Sequence, residues 1–323
     1  MDMDRKTSTL IAVGTVASAL TIGAVMQYWP TSQSAPIAKQ ATVAVTDVQE
    51  VSSTPKPANS LDLTPSEILP ASLGTPPIED AAPITEDTSQ EPETSSAQCD
   101  ATMTATPAAG AMINIDLTAP CHGGERVTLH HNGLMFTDAV GSDGTLQVQV
   151  PALTENALVV ASFLDGGGAV ATSEITSVPF YDRIVLQWRG DAGLQLHARE
   201  FDAQYFAEGH VWHGAATDPS RATAGEGGFL TALGNENVAD ALMAEVYTFP
   251  TGMTDASGTV ALTVEAEIID SNCNAVIEAQ TLELRGGDDL TSKELTIDVP
   301  SCETVGDFLL LKNIVQDLTI AAN

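Results

Sequence analysis

Between His197 and His213 the chain concentrates side chains that can do chemistry. Three of its six histidines fall there, His197, His210 and His213, with Arg199 and Glu200 beside them. Phe201, Tyr205, Phe206 and Trp212 supply aromatic surface in the same stretch. Ligand pockets combine apolar walls with a few polar groups, so Arg199, Glu200, Tyr205, His210, Trp212 and His213 form the candidate binding set. Gly209 and Gly214 bracket His210-Val-Trp-His213 and argue for a loop, where binding groups are commonly carried. His210 and His213 would share a face only on a helix, which those glycines oppose. With His197 and Glu200 added, the set still matches no established ligand spacing, so no metal is expected. The competing structural reading has the aromatics filling a core, with the histidines and Arg199 on its rim.

Other constellations say less. His130-His131 lies in an alternating run, so one ring faces a core and the other solvent. Asp138 and Asp143 flank a turn, but the ordered oxygen ligands of a calcium loop are missing. Asp288-Asp289 follows Gly286-Gly287 as a solvated turn. No lysine follows a glycine, which removes the P-loop. The H-E-x-x-H, G-x-S-x-G and C-x-x-C-H patterns are also missing. No catalytic residue and no cofactor is therefore assigned, and the reading leans away from an enzyme.

The elements that must position these residues read as mainly β from Cys99 onward. Ile113, Ile115 and Leu117 alternate with polar neighbours, as do Leu146, Val148 and Val150, and Val127-Leu129-His131 shows the same period of two. Asn132-Gly133 and Asp143-Gly144 sit where hairpins need positive φ. With Ala157–Leu164 and Ala169–Ile175 these runs predict a first sandwich over residues 99–178, immunoglobulin-like or transthyretin-like. A second β-rich unit is expected over 179–323. Its strands include Ile184-Leu186-Trp188, Leu194-Leu196-Ala198, Val260–Ile268 and Leu295-Ile297-Val299. Asn237 is the candidate cap of a short helical turn through Leu242, and Phe308–Ile320 suits either strand or helix.

Composition sets the compartment. The 323-residue chain carries 43 acidic and 12 basic residues, a net charge of −31. That excludes a nucleic-acid partner and electrostatic docking on an anionic bilayer. Leu10 to Trp29 is an uncharged run that spans about 30 Å as a helix, the thickness of a hydrocarbon core. Arg5 and Lys6 precede it, which places residues 1–30 as a cytoplasmic tip and transmembrane anchor, with the rest outside. A cleaved signal peptide is the alternative. Ala17-Ser-Ala19 would leave too short an apolar core, and Ala35 is followed by Pro36. Residues 31–98 read as a disordered acidic stalk, because ten of the 17 prolines lie between Pro30 and Pro92 and the aromatic residues needed for a core are missing. The four cysteines, Cys99, Cys121, Cys273 and Cys302, allow three pairings. The local one, Cys99–Cys121 and Cys273–Cys302, keeps each bridge inside one unit.

The whole chain resembles a group of membrane-anchored alphaproteobacterial envelope proteins without an established function, some of which carry the label "translocase". The resemblance is carried by Glu125–His131, Arg183–Trp188, His197–Phe201, Gly209–Trp212, Ala244–Pro250 and Val305–Phe308, besides the anchor and the stalk. It implies a single-pass protein of the inner membrane with its body in the periplasm, and no mechanism. The leading functional reading is a non-catalytic, membrane-tethered envelope protein presenting β domains to a protein or cell-wall partner. An accessory subunit of a translocation or secretion assembly is the second, and a periplasmic enzyme using His197–His213 the third.

Overall fold

The computed structural model describes residues 99–287 and 289–321. The expected anchor, the expected stalk and Asp288 lie outside the described residues. Within them the chain is mainly β, with no helix long and apolar enough to cross a membrane.

Seven strands come first: β1 (Thr102–Ala108), β2 (Met112–Thr118), β3 (Arg126–His131), β4 (Leu134–Ala139), β5 (Thr145–Pro151), β6 (Asn156–Ser162) and β7 (Gly168–Glu174). They form two antiparallel sheets, of order β1-β2-β5 and β4-β3-β6-β7. The alternation in β2 puts Ile113, Ile115 and Leu117 at no more than 1% exposure. Asn132 and Gly133, at φ 46° and 90°, make the two-residue turn from β3 to β4, a geometry that suits the right-handed twist of paired strands.

Ten strands follow: β8 (Asp182–Arg189), β9 (Leu194–Glu200), β10 (His210–Val211), β11 (Phe229–Leu233), β12 (Leu242–Phe249), β13 (Gly258–Glu267), β14 (Val276–Leu284), β15 (Thr291–Asp298), β16 (Phe308–Leu311) and β17 (Leu318–Ile320). One sheet runs β11-β12-β8-β14-β15. The other runs β10-β9-β13-β16, with β17 also pairing on β13. The tail read as ambiguous is thus two strands on one edge, β17 against Gly258–Val260 and β16 against Val264–Glu267. Cys99 is bonded to Cys121 and Cys273 to Cys302, the local pairing.

The β8-centred sheet is covered on both sides. Ile184, Leu186, Tyr247 and Phe249 pack toward the β9 sheet. Val185, Val246, Leu282 and Leu284 join the core of the first seven strands. Val185 lies on the same face of β8 as Gln187 and Arg189, yet it is fully buried. Each such aliphatic side chain contributes about 1.5–3 kcal/mol on burial, so the two sandwiches share apolar stabilisation along this face.

The helix expected at Asn237 does not form. The Asn235 side chain accepts from the Asn237 amide, an Asx turn that competes with helix. Leu242 is already a strand residue, opposite Arg189. The α-helix among the described residues is Pro219–Thr223, where Asp218 caps the Ser220 amide and Pro219 opens the first turn; Val178–Phe180 and Cys302–Thr304 are single 3-10 turns.

Candidate functional site

Strand period divides the His197–His213 stretch. On β9, Leu194, Leu196, Ala198 and Glu200 face the interior of the sandwich, while His197 and Arg199 face outward. In register, Arg199 lies opposite His210 on β10, and His197 opposite Thr263 on β13. His197, Arg199, His210, Thr263 and Glu265 therefore share the outer face of this sheet. The 201–209 connection folds back over that face and brings Tyr205 and Phe206 onto it.

The cluster is a directed hydrogen-bond chain. The Phe206 amide donates to Nδ1 of His210 at 2.8 Å, so Nδ1 carries no proton and the neutral ring holds it on Nε2. That Nε2–H donates to Nδ1 of His197 at 2.9 Å. The proton of His197 is then on its own Nε2, which lacks a hydrogen-bond partner and lies 3.8 Å from Oε2 of Glu265. Tyr205 donates its hydroxyl to Oε1 of Glu265 at 2.5 Å. Trp212 lies nearly parallel to both imidazoles, 5.3 Å from His197 and 5.8 Å from His210 between ring centroids. The guanidinium of Arg199 sits 4.8 Å above the Tyr205 ring, with its buried Nε unpartnered.

Burial sets the protonation of this cluster. It pulls His197 down to about 4, with Arg199 adding to the effect. It pulls His210 to about 4 as well, with His197 and Arg199 pushing the same way and Glu265 opposing. Both rings are neutral at neutral pH. Burial and then the bond to Glu265 raise the Tyr205 phenol above its ordinary value, so it stays a donor.

The outermost member is Phe206, 77% exposed with φ 63°. Its ring edge meets Trp212 at 5.6 Å and His210 at 5.7 Å. Phe201 and Asp202 are also left-handed, at φ 51° and 65°, and bulky residues seldom adopt that region. Gly214 lets the backbone lie against the indole, since a Cβ there would stand 2.5 Å from Cζ2 of Trp212.

Two members of the candidate set sit elsewhere. Glu200 points inward, accepting from Arg221 (2.8 Å), the Gly228 amide (2.7 Å) and the Tyr247 hydroxyl (2.8 Å). Burial raises its carboxyl and those three donors oppose the rise. His213 is 65% exposed at its side chain and lies 3.2 Å from buried Glu245. The other oxygen of Glu245 accepts the Leu196 amide, at the edge of β9 where two-residue β10 has ended. Beside this pair a cleft of about 810 Å³ is lined by Trp188, Met243, Ile269 and Asp191 among others. The structure thus unites Arg199, Tyr205, His210 and Trp212 and separates them from Glu200 and His213. Sequence reasoning missed Thr263 and Glu265, and left His197 out of the binding set. The polar face of the Val260–Ile268 alternation was the signal for the first two.

Among the described residues no three histidine, cysteine or carboxylate groups converge to hold a metal ion. No protein-family model and no curated protein matches the chain. A Ca2+-stabilized adhesin with which an Antarctic bacterium reaches out and binds ice is 13% identical over 62% of this chain and 74% of that one, at a TM-score of 0.17. A 1.5-MDa bacterial ice-binding adhesin, studied for its retention at the host cell surface, is 13% identical over 68% of this chain and 96% of its own, again at 0.17. Superpositions that poor carry no argument about what this chain does.

Proposed function

We propose that this is a membrane-tethered, non-catalytic envelope protein that meets a protein or cell-wall partner through the outer face of the β9–β13 sheet. The observation that carries this reading is Phe206. A large apolar ring stands in solvent on a left-handed backbone, braced by Trp212 and His210 and flanked by Tyr205. Such strain persists where surrounding structure over-determines it, and it clusters at contact sites. The enzyme reading has less support, because the histidine chain ends on a backbone amide rather than on a nucleophile.

The rest of the placement follows the same line. Two disulfides suit an oxidising compartment. The uncharged run Leu10–Trp29 after Arg5-Lys6 supports an inner-membrane anchor, and the proline-rich acidic stretch a stalk. The strand orders β1-β2-β5 and β4-β3-β6-β7 support reading the first sandwich as immunoglobulin-like. The stretches Glu125–His131, Arg183–Trp188, His197–Phe201 and Gly209–Trp212, with the anchor and the stalk, support its likeness to the alphaproteobacterial envelope group. A reporter active only outside the cytoplasm, fused after Asn323, should be active and stay in carbonate-washed membranes. Release of a soluble form starting near residue 36 would contradict the anchor. For the contact face, Phe206→Ser combined with Arg199→Ala should abolish co-purification of a crosslinked partner with the detergent-solubilised chain, with the thermal midpoint unchanged. Full partner recovery with that variant would overturn the assignment.

A further inference from the structure

We infer that the His197–His210 pair is a proton-operated latch on the 201–209 loop: neutral rings hold Phe206 down, and one added proton frees it. The latch rests on the hydrogen-bond chain alone, while its consequence for partner binding rests on the contact surface proposed above.

The two rings together offer two lone pairs, on Nδ1 of His197 and Nδ1 of His210. Both are occupied, by His210 Nε2–H at 2.9 Å and by the Phe206 amide at 2.8 Å. A proton on Nδ1 of His210 sets two N–H groups against each other at Phe206. A proton on Nδ1 of His197 sets it against His210 Nε2–H. Shifting the His210 proton to its own Nδ1 relieves that second conflict and recreates the first. No arrangement of one extra proton keeps every bond, and the conflict is best relieved at the Phe206 amide. That amide belongs to the loop, not to a strand.

The charged and titratable groups packed on the pair come from each neighbouring element. Arg199 on β9 opposes a cation there. Glu265 on β13 favours one, but Tyr205 from the loop already occupies one of its oxygens. The indole face of Trp212 also favours a cation. Burial outweighs both favourable terms, since His197 and His210 are each held near 4.

The loop is otherwise held at its ends. The Phe201 amide donates to the Thr259 carbonyl and the Glu200 amide to the Gly209 carbonyl, while Ala203 to Glu200, Ala207 to Gln204 and His210 to Ala207 are local turns. Its side-chain tie to β13 is Tyr205, through Glu265 and a longer contact to Thr263. The left-handed Phe201, Asp202 and Phe206 favour another conformation once the amide tie is lost.

Hydrogen–deuterium exchange of the full chain, corrected for the intrinsic pH dependence, reads the latch directly. From pH 7 to pH 4, protection in the 201–212 peptide should fall on the order of a hundredfold, while the β14 peptide stays protected. His210→Gln keeps a carbonyl acceptor and an amide donor but cannot take a proton in this range, so its 201–212 protection should fall less than the native chain's between pH 7 and pH 4, with His197 the one proton acceptor left in the pair. Equal loss in His210→Gln, or a pH-independent native loop, would overturn the latch. Should His210→Gln fail to fold, nitrogen-15 spectra of histidine-labelled native chain decide. They should show both rings as Nε2–H tautomers at pH 7, both charging well below pH 6.5; an Nδ1–H tautomer, or ordinary titration, would overturn it. A latch that passes beside a Phe206→Ser variant that still binds at pH 7 would sink the contact surface alone.

Discussion

The guanidinium of Arg183 on β8 donates to the carbonyl oxygen of Ala111 at 2.8 Å, across the boundary between the two sandwiches. The same group donates to Gly110 at 2.7 Å and to Ala152, and its Nε donates to the Thr248 hydroxyl. Arg183 is fully buried, and burial pushes it down to about 9, which leaves it charged at neutral pH. Peptide carbonyls here do what a carboxylate partner ordinarily does for a buried cation.

Removing that cation leaves the inward carbonyls of Gly110 and Ala152 without a donor, each costing about 1–3 kcal/mol when buried, while that of Ala111 keeps the Ala152 amide. Arg183→Met should therefore destabilise the body by at least about 2 kcal/mol. Arg183→Lys should recover only part of it, because an ammonium cannot span the same fork of acceptors. Denaturant midpoints measure this. A methionine variant as stable as the native chain would mean that the rivet contributes nothing.

Glu200 makes a second prediction. Its carboxylate satisfies Arg221, Tyr247 and the Gly228 amide together, inside the β9–β12 space. Glu200→Ala should cost about 3–5 kcal/mol, since it strands a buried partner set. Arg221→Met should cost less, because Arg221 is partly exposed. Gly228→Ala should fail to fold normally, its Cβ falling 2.5 Å from the Tyr247 hydroxyl and 2.6 Å from the Thr248 carbonyl. Equal losses for Glu200→Ala and Arg221→Met would show that the ion pair, not the buried amide and phenol, dominates.

Stability should also fall in acid. His131 lies between the Leu158 carbonyl and the Leu153 amide, and burial lowers it as it lowers His197 and His210. Folded rings bind protons more weakly than unfolded ones. Their contribution is full above the ordinary value of 6.5 and is lost as pH falls through the folded values, about 4 for His197 and His210. Glu200 and Glu245 act in the opposite sense, because burial raises both; their contribution is full in acid and declines as pH rises through the folded values. The thermal midpoint of a His197→Asn, His210→Gln double variant should vary less between pH 7 and pH 4 than that of the native chain. An unchanged slope would show that this pair is not what acid acts on.

Much of the architecture could be read from alternation. Ile113-Ile115-Leu117 and Val260–Ile268 show one apolar face each, and their strands lie where that pattern put them. Val185 could not be read so, because it shares its face with Gln187 and Arg189 and only a covering sandwich makes that part of the face apolar. The short helix after Asp218-Pro219 carries a capping signal too brief to stand out. The site was legible in composition but not in grouping. Arg199 and Glu200 are neighbours in sequence and point to opposite sides of one sheet. His197 and Thr263 are far apart in sequence and directly opposite in register. The polar face of the Val260–Ile268 alternation marks Glu265 as outward-facing, but register is a property of the closed sheet, so that pattern alone could not bring Glu265 to His197.

Whether a partner covers Phe206 is read by a photocrosslinking residue placed at that position in living cells. Leu164 is the control, 89% exposed in the first sandwich and far from the cluster in the fold order. Irradiation should give a discrete adduct from position 206, either one protein band or a ladder collapsed by a muramidase, and none from position 164. No adduct at 206, or the same adducts at both positions, would contradict the account.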